Sequence, residues 1–178
     1  MAIITLNNRA TNRSDTASAG QVFTATSATA ADFQDAGGGK VLQVVFGSTT
    51  TEKVVSSATF VDTGLSAAIT PSATSSKILV ICEVSSVGKA VTNTYVELKL
   101  LRDTTDLIVF TKEAGADAGT STNKVGNSGC SFLDSPSSTS EITYKTQMNS
   151  GSGSTYGQTG GSGGVSTMTL MEIAGWWL

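Results

Sequence analysis

The residue types that most often carry chemistry are sparse in this sequence. There is no histidine, which removes the commonest general base, proton shuttle and zinc ligand. Asp103, Asp106, Asp134 and Glu141 stand in or beside polar turns. A carboxylate there accepts backbone hydrogen bonds, and that role is preferred to acid–base catalysis. Glu113 and Asp117 are flanked by Gly and Ala, without the spacing of a calcium loop. The glycine runs at 37–39 and 157–164 do not follow a strand and open a helix, so they are not phosphate cradles. No catalytic, metal or cofactor site is assigned. A sugar-cleaving pair of carboxylates needs a defined separation, which a sequence does not display.

Two cysteines are too few for a disulfide scaffold. Cys82 sits among aliphatic residues and reads as a small buried hydrophobe. Cys130 follows Gly129 at the start of a strand, and a bridge between the two stays open. Glu83 and Glu172 each interrupt an apolar strand. Either each reaches a rim or a basic neighbour, or it sits at a subunit interface where an inward charge sets register. Trp176 and Trp177 precede only Leu178. Two large aromatics near a terminus bury area on their own domain, on a neighbouring subunit or on another protein, with sugar stacking as a third role.

The elements that would position these residues are strands. Ser, Thr and Gly are abundant and Pro is rare, which favours an all-β protein with polar loops. The longest aliphatic run, Ile78 to Val84, points Ile78, Val80, Cys82 and Val84 one way and Leu79 and Ile81 the other. A strand apolar on both faces belongs mid-sheet with something packed on each side. Gly64 breaks the preceding run, so that Phe60–Thr63 and Ser66–Thr70 read as two pieces with a turn at Asp62-Thr63-Gly64. Val87–Asn93 and Lys112–Gly129 read as loops. Val96, Leu98 and Leu100 alternate inward along one strand, and Ile142, Tyr144, Thr146 and Met148 along another. Further strands are expected at Val41–Phe46, Lys53–Ser57, Leu107–Thr111, Cys130–Leu133 and Val165–Ile173. The architecture that buries such strands is a two-sheet antiparallel, jelly-roll-like β-sandwich.

The boundaries are an N-terminal attachment arm, 1–39, ending in the Gly37–Gly39 hinge, and a β-sandwich domain, 40–178. Ile3, Ile4 and Leu6 make one apolar patch in the arm, and Val22 and Phe23 another, with a helical turn expected at Ala17–Ala19 or Ala28–Phe33. Such a segment cannot offset its ordering entropy alone; it is loose, or ordered along another subunit. These five residues, with Trp176 and Trp177, are the candidate contacts to other subunits or other proteins. A net charge of −3 with 14% charged residues gives no field for nucleic acid. No secretory leader or membrane span is expected from the apolar runs, so synthesis in a cytoplasm is expected.

The runs Phe60-Val61-Asp62-Thr63-Gly64-Leu65, Ile69-Thr70-Pro71-Ser72 and Ser75-Ser76-Lys77-Ile78-Leu79-Val80 resemble a module of virion proteins of aquatic tailed phages, cyanophage- or pelagiphage-like. The resemblance continues through Leu101-Arg102-Asp103, Phe132-Leu133-Asp134-Ser135-Pro136, Thr143-Tyr144-Lys145 and Thr169-Leu170-Met171-Glu172-Ile173-Ala174. Leu6-Asn7-Asn8-Arg9-Ala10 is similar to the opening of phage fibre proteins. The resemblance implies a non-enzymatic virion protein: a short trimeric tail fibre or tail-fibre adaptor, attached to other virion proteins by its N-terminal arm. The alternative is a capsid decoration (cement or head-fibre) protein, which a compact trimer with an arm also suits. A carbohydrate-binding tip for host recognition is the other class, with Tyr95, Tyr156 and the Trp pair as its candidates.

Overall fold

The computed structural model describes residues 3–6, 9–12, 21–25, 31–35, 41–116, 119, 123–158 and 164–175. The chain divides into two units, Met1–Gly39 and Lys40–Leu178. In the first, β1 (Ile3–Leu6) pairs antiparallel with β2 (Arg9–Asn12), and β3 (Gln21–Ala25) with β4 (Ala31–Asp35). Ile3, Ile4 and Leu6 therefore lie on β1, and Val22 and Phe23 on β3. The helical turn expected across Ala28–Phe33 gives way to strand over Ala31–Phe33, where the backbone ladder with β3 supplies the hydrogen bonds that a turn would have made locally. The alternative turn at Ala17–Ala19 lies outside the described residues.

The second unit holds β5 (Val41–Thr49), β6 (Lys53–Val55), β7 (Val61–Ile69), β8 (Lys77–Lys89), β9 (Val96–Arg102), β10 (Thr105–Ala114), β11 (Asn123–Asp134), β12 (Ile142–Ser150), β13 (Thr155–Gly157) and β14 (Ser166–Ile173). One sheet has six strands: β11 lies along the whole of one edge of β8, and the other edge is shared by β14, itself beside β5, and by β13, itself beside β6. The second sheet has four strands in the order β10-β9-β12-β7. Every ladder is antiparallel.

Set the short β6 and β13 aside and eight long strands remain. They run first-eighth-third-sixth in one sheet and fifth-fourth-seventh-second in the other. Two interlocked Greek keys give that order, so the sandwich is a jelly roll. Its core lies between the sheets. The inward set of β8, Ile78, Val80, Cys82 and Val84, meets Val96, Leu98 and Leu100 of β9 and Tyr144 and Met148 of β12, all buried as their alternation required.

Three expectations change. Gly64 does not end a strand: β7 runs through it, with Gly64 at φ 94° where the register against β12 slips between Lys145 and Gln147. A glycine tolerates that left-handed backbone, so the position expected as a turn is a bulge within one strand. The loop expected at Val87–Asn93 starts three residues later, at Ala90, because β8 continues to Lys89 and pairs there with β11 and β13. The long loop expected over Lys112–Gly129 shortens at both ends, with β10 reaching Ala114 and β11 starting at Asn123. Polar composition hid those ends, since a strand half-exposed to water needs apolar residues on one side only.

Candidate functional site

The most distinctive chemistry gathers at one end of the six-stranded sheet. Register places Glu172 on one side of Ile78 and Asp134 on the other, so two carboxylates flank one core residue in a single row. Both are buried, Glu172 at 0% exposure and Asp134 at 7%.

Glu172 is held by the turn between β7 and β8. Its Oε1 accepts from the Ser72 backbone N–H at 2.7 Å, the Ser72 hydroxyl at 2.6 Å and the Ser76 hydroxyl at 2.6 Å. Its Oε2 accepts from Gln43 Nε2 at 2.7 Å. Burial alone would push this carboxyl up, but four donors outweigh it and hold the group at about 2. The chain leaves β14 tight against the same turn, since a Cβ on Gly175 would lie 2.3 Å from the Ser75 carbonyl oxygen.

Asp134 ties the sheets together. Its Oδ2 accepts from Arg102 Nη1 at 2.8 Å and from the Tyr144 hydroxyl at 2.7 Å, while Oδ1 accepts from the Ser135 N–H at 2.8 Å. Burial, then the bond to Asp134, raises the Tyr144 phenol far above its ordinary range, so it stays a donor. Nearby, Asp103 and Thr143 bond reciprocally: the Asp103 N–H donates to the Thr143 carbonyl at 2.7 Å, and the Thr143 N–H to Asp103 Oδ1 at 2.9 Å. The turn role expected of Asp103 and Asp134 is thus what they perform. Asp106 instead pairs with Lys99 at 2.8 Å.

The carboxylate row does not behave as a hydrolytic pair. Two strand spacings put its members about 10 Å apart, and both are engaged by donors and shut off from water. A general acid needs a raised pKa and access to substrate; Glu172 is pulled the other way.

The two glutamates flagged in strands separate. Glu83 faces solvent and accepts from Asn127 Nδ2 at 2.6 Å, so it is neither inward nor paired with a basic residue. Glu172 is inward, but hydroxyls, an amide and a backbone N–H satisfy it within its own chain, where a basic partner or a subunit interface was expected. Cys82 and Cys130 are both free thiols, directly opposite on β8 and β11 with sulfurs 3.6 Å apart. Their shared hydrogen bond pulls the Cys130 thiol down and, with burial, pushes Cys82 up.

Among the contact candidates, Ile3, Ile4 and Leu6 are placed on β1 and Val22 and Phe23 on β3 by backbone only, and Trp176 and Trp177 lie outside the described residues. Tyr95 is half-buried with its ring against Gly151, where an added Cβ would come within 2.5 Å. Tyr156 is half-buried in β13.

Exposed apolar residues gather on the outer face of the six-stranded sheet, around the outward Leu79 and Ile81 of β8. Val44, Met171, Leu79 and Leu133 are register neighbours across four strands, and so are Phe46, Thr169, Ile81 and Ser131. Phe46 is 64% exposed, Val44 57% and Leu133 56%. The signal for it was the second apolar face of β8.

The fold and site define a jelly roll locked by buried polar clamps. No family model matches the sequence, and no curated protein does. Among solved structures the chain is similar to the VP2 subviral particle of infectious bursal disease virus, with a TM-score of 0.46 and 10% identity over 87% of this chain and 38% of that one. The Gt strain of that virus gives a TM-score of 0.45 and 13% identity over 84% and 36%. The chain spans less than half the length of these proteins, and the jelly-roll assignment rests on strand order alone.

Proposed function

We propose that this chain is a non-enzymatic structural protein of a virion, a short homotrimeric tail fibre or tail-fibre adaptor attached by its N-terminal unit. The observation that carries this reading is where the phage-like motifs fall. Ser72 and Ser76 meet Glu172, and Arg102 meets Asp134 and Tyr144. Asp103 meets Thr143, and Asp62 meets Lys145 at 3.0 Å. The motifs that are scattered along the sequence converge as clamps of a rigid shell rather than as a pocket that could process a substrate. A protein whose distinctive residues hold its own shape suits a part that is built into a larger particle. Jelly rolls serve in capsids and lectins alike, so the site rather than the fold supports the choice.

Antibody-gold labelling of intact particles tests it. Label at the tail is the expected result. Label spread over the head would replace the fibre with a decoration protein, and particles free of label would reject the virion role. On particle-derived protein, sedimentation is expected to give a trimer.

A further inference from the structure

β8 is apolar on both faces, a pattern of strands covered on each side, yet in this chain Ile81 and its outward neighbours are exposed. The uncovered face is organised. Its two central rows, Val44-Met171-Leu79-Leu133 and Phe46-Thr169-Ile81-Ser131, contain no charged residue. The charged groups stand at the two ends: Lys77 beside Ile173 at one, and Glu83, in a row with Thr167 and Ser48, at the other. An apolar centre with a polar rim is the anatomy of a protein interface.

We propose that this outer face is the surface through which copies of the chain bind one another. The inference deepens the assembly role above and rests on it for the existence of a multimer. Area is the first argument for a second copy as the occupant. Leu42, Val44, Phe46, Ile81 and Leu133 together expose roughly 500 Å² of apolar surface, near the upper end of what a monomer leaves in one patch. With the partly exposed Leu79, Met171 and Ile173 and the polar ends, the face approaches the roughly 800 Å² per partner of a standard interface. Relief is the second argument. In the second row the large Phe46 and Ile81 alternate with the small Thr169 and Ser131. Knobs and hollows in one row let the faces of three copies interlock where they converge on the three-fold axis of the proposed trimer.

Sedimentation velocity on the full chain at micromolar concentration tests the proposal. The wild type is expected to sediment as a multimer. A variant carrying Val44→Thr, Phe46→Thr and Leu133→Thr keeps residues that favour strands and is expected to sediment as a monomer, with self-association weakened about a hundredfold or more, as loss of central hot-spot residues gives. If that variant fails to fold, Ser131→Arg decides. It leaves every apolar side chain in place and sets a charge in the centre of the face, and it should also yield a protein that is folded by circular dichroism and monomeric by sedimentation. Lys99→Thr, on the opposite sheet, should leave the multimer intact. A monomeric wild type, a monomer held so because the chain's own N-terminal unit covers the face, or a multimer that survives Ser131→Arg would each overturn the proposal. None of these results bears on whether the protein is found in particles, which the gold label reads separately.

Discussion

On the outside of the six-stranded sheet, Phe46, Ile81, Val44 and Leu133 stand exposed with no charge between them. On the outside of the four-stranded sheet, the register row Val109-Lys99-Gln147-Asp62 is polar except for Val109 on the edge strand. There Asp62 accepts from Gln147 at 2.6 Å and from Lys145 at 3.0 Å, and Lys99 bonds Asp106 while its ammonium lies 4.4 Å from the centre of the Phe60 ring. The two sheets share a core and a topology, so the fold does not require this difference. A strand in a two-layer sandwich needs apolar residues on its inner side only. The four-stranded sheet stays close to that minimum, exposing large apolar side chains only on its edge strand β10, at Ile108 and Val109. The six-stranded sheet exceeds it, and the excess is what points to a contact.

The comparison assumes that both faces are presented by equally rigid sheets, and the buried clamps can be broken to test that. The largest effect is expected for Asp134→Ala. It strips the acceptor from the Arg102 guanidinium and the Tyr144 hydroxyl where the two sheets meet. Leaving the half-buried guanidinium and the buried hydroxyl without their acceptor costs about 1–3 kcal/mol for each, to be read as a fall in the denaturant midpoint with unchanged slope. A loss below about 1 kcal/mol would mean that water replaces the clamp and that the sheets are not tied there.

Next comes acid. Glu172 sits at about 2 in the folded chain, below its ordinary 4.5. A depressed carboxyl contributes its stability above the unfolded value and loses it as pH falls toward the folded one. About 3 kcal/mol should therefore disappear between about pH 5 and pH 2. Glu172→Gln should flatten that part of the stability profile. Because Glu172 lies on the inner side of β14, between Met171 and Ile173 of the outer face, the acid-weakened protein should also self-associate less.

Much of this was legible in the sequence, for identifiable reasons. Val96, Leu98 and Leu100, and Ile142, Tyr144 and Met148, alternate because one side of each strand is buried, and they lie where that pattern put them. The jelly-roll order was foreseen only as a class, since which strands pair depends on contacts between residues far apart in the chain. β7 was split in error because a glycine at a bulge and a glycine at a turn look alike along the sequence. Glu172 and Asp134 were each noticed, but their shared row beside Ile78 is a matter of register, which no local pattern carries. The apolar face was half visible: β8 announced two covered sides, and Val41–Phe46 is apolar on both sides too, while Leu133 stands in a mostly polar strand, and only pairing put the three together.

A smaller effect is expected beneath the apolar face. Cys82 and Cys130 are direct partners on neighbouring antiparallel strands, a placement whose Cα separation of about 4.5–5.5 Å suits a disulfide. Treatment with diamide should oxidise the two thiols to one intramolecular bridge, the diamide taking up both hydrogens and electrons. The bridge should add about 2 kcal/mol or more by restricting the unfolded chain, seen as a higher thermal midpoint that a reductant reverses. A bridge on the inner side should leave self-association unchanged. If oxidation dissociates the multimer, the outer face is not independent of the packing below it.

The smallest effect belongs to the polar face, and it is the sharpest control. Lys145→Ala removes the ammonium from Asp62, whose carboxyl burial raises but whose bonds from Gln147 and Lys145 lower more strongly. Asp62 keeps its bond from Gln147 and much of its contact with water. An exposed ion pair is worth about 0.2–1 kcal/mol, less as salt rises, so the variant should lose at most about 1 kcal/mol in dilute buffer and nothing measurable in 1 M salt. Its sedimentation should match the wild type at both ionic strengths. Phe46→Thr should do the reverse, keeping the stability of the separated chain while weakening its association, because an exposed side chain contributes little to folding until a partner covers it. If Lys145→Ala disrupts the multimer and Phe46→Thr does not, the charged face is the contact and the roles of the two sheets must be exchanged.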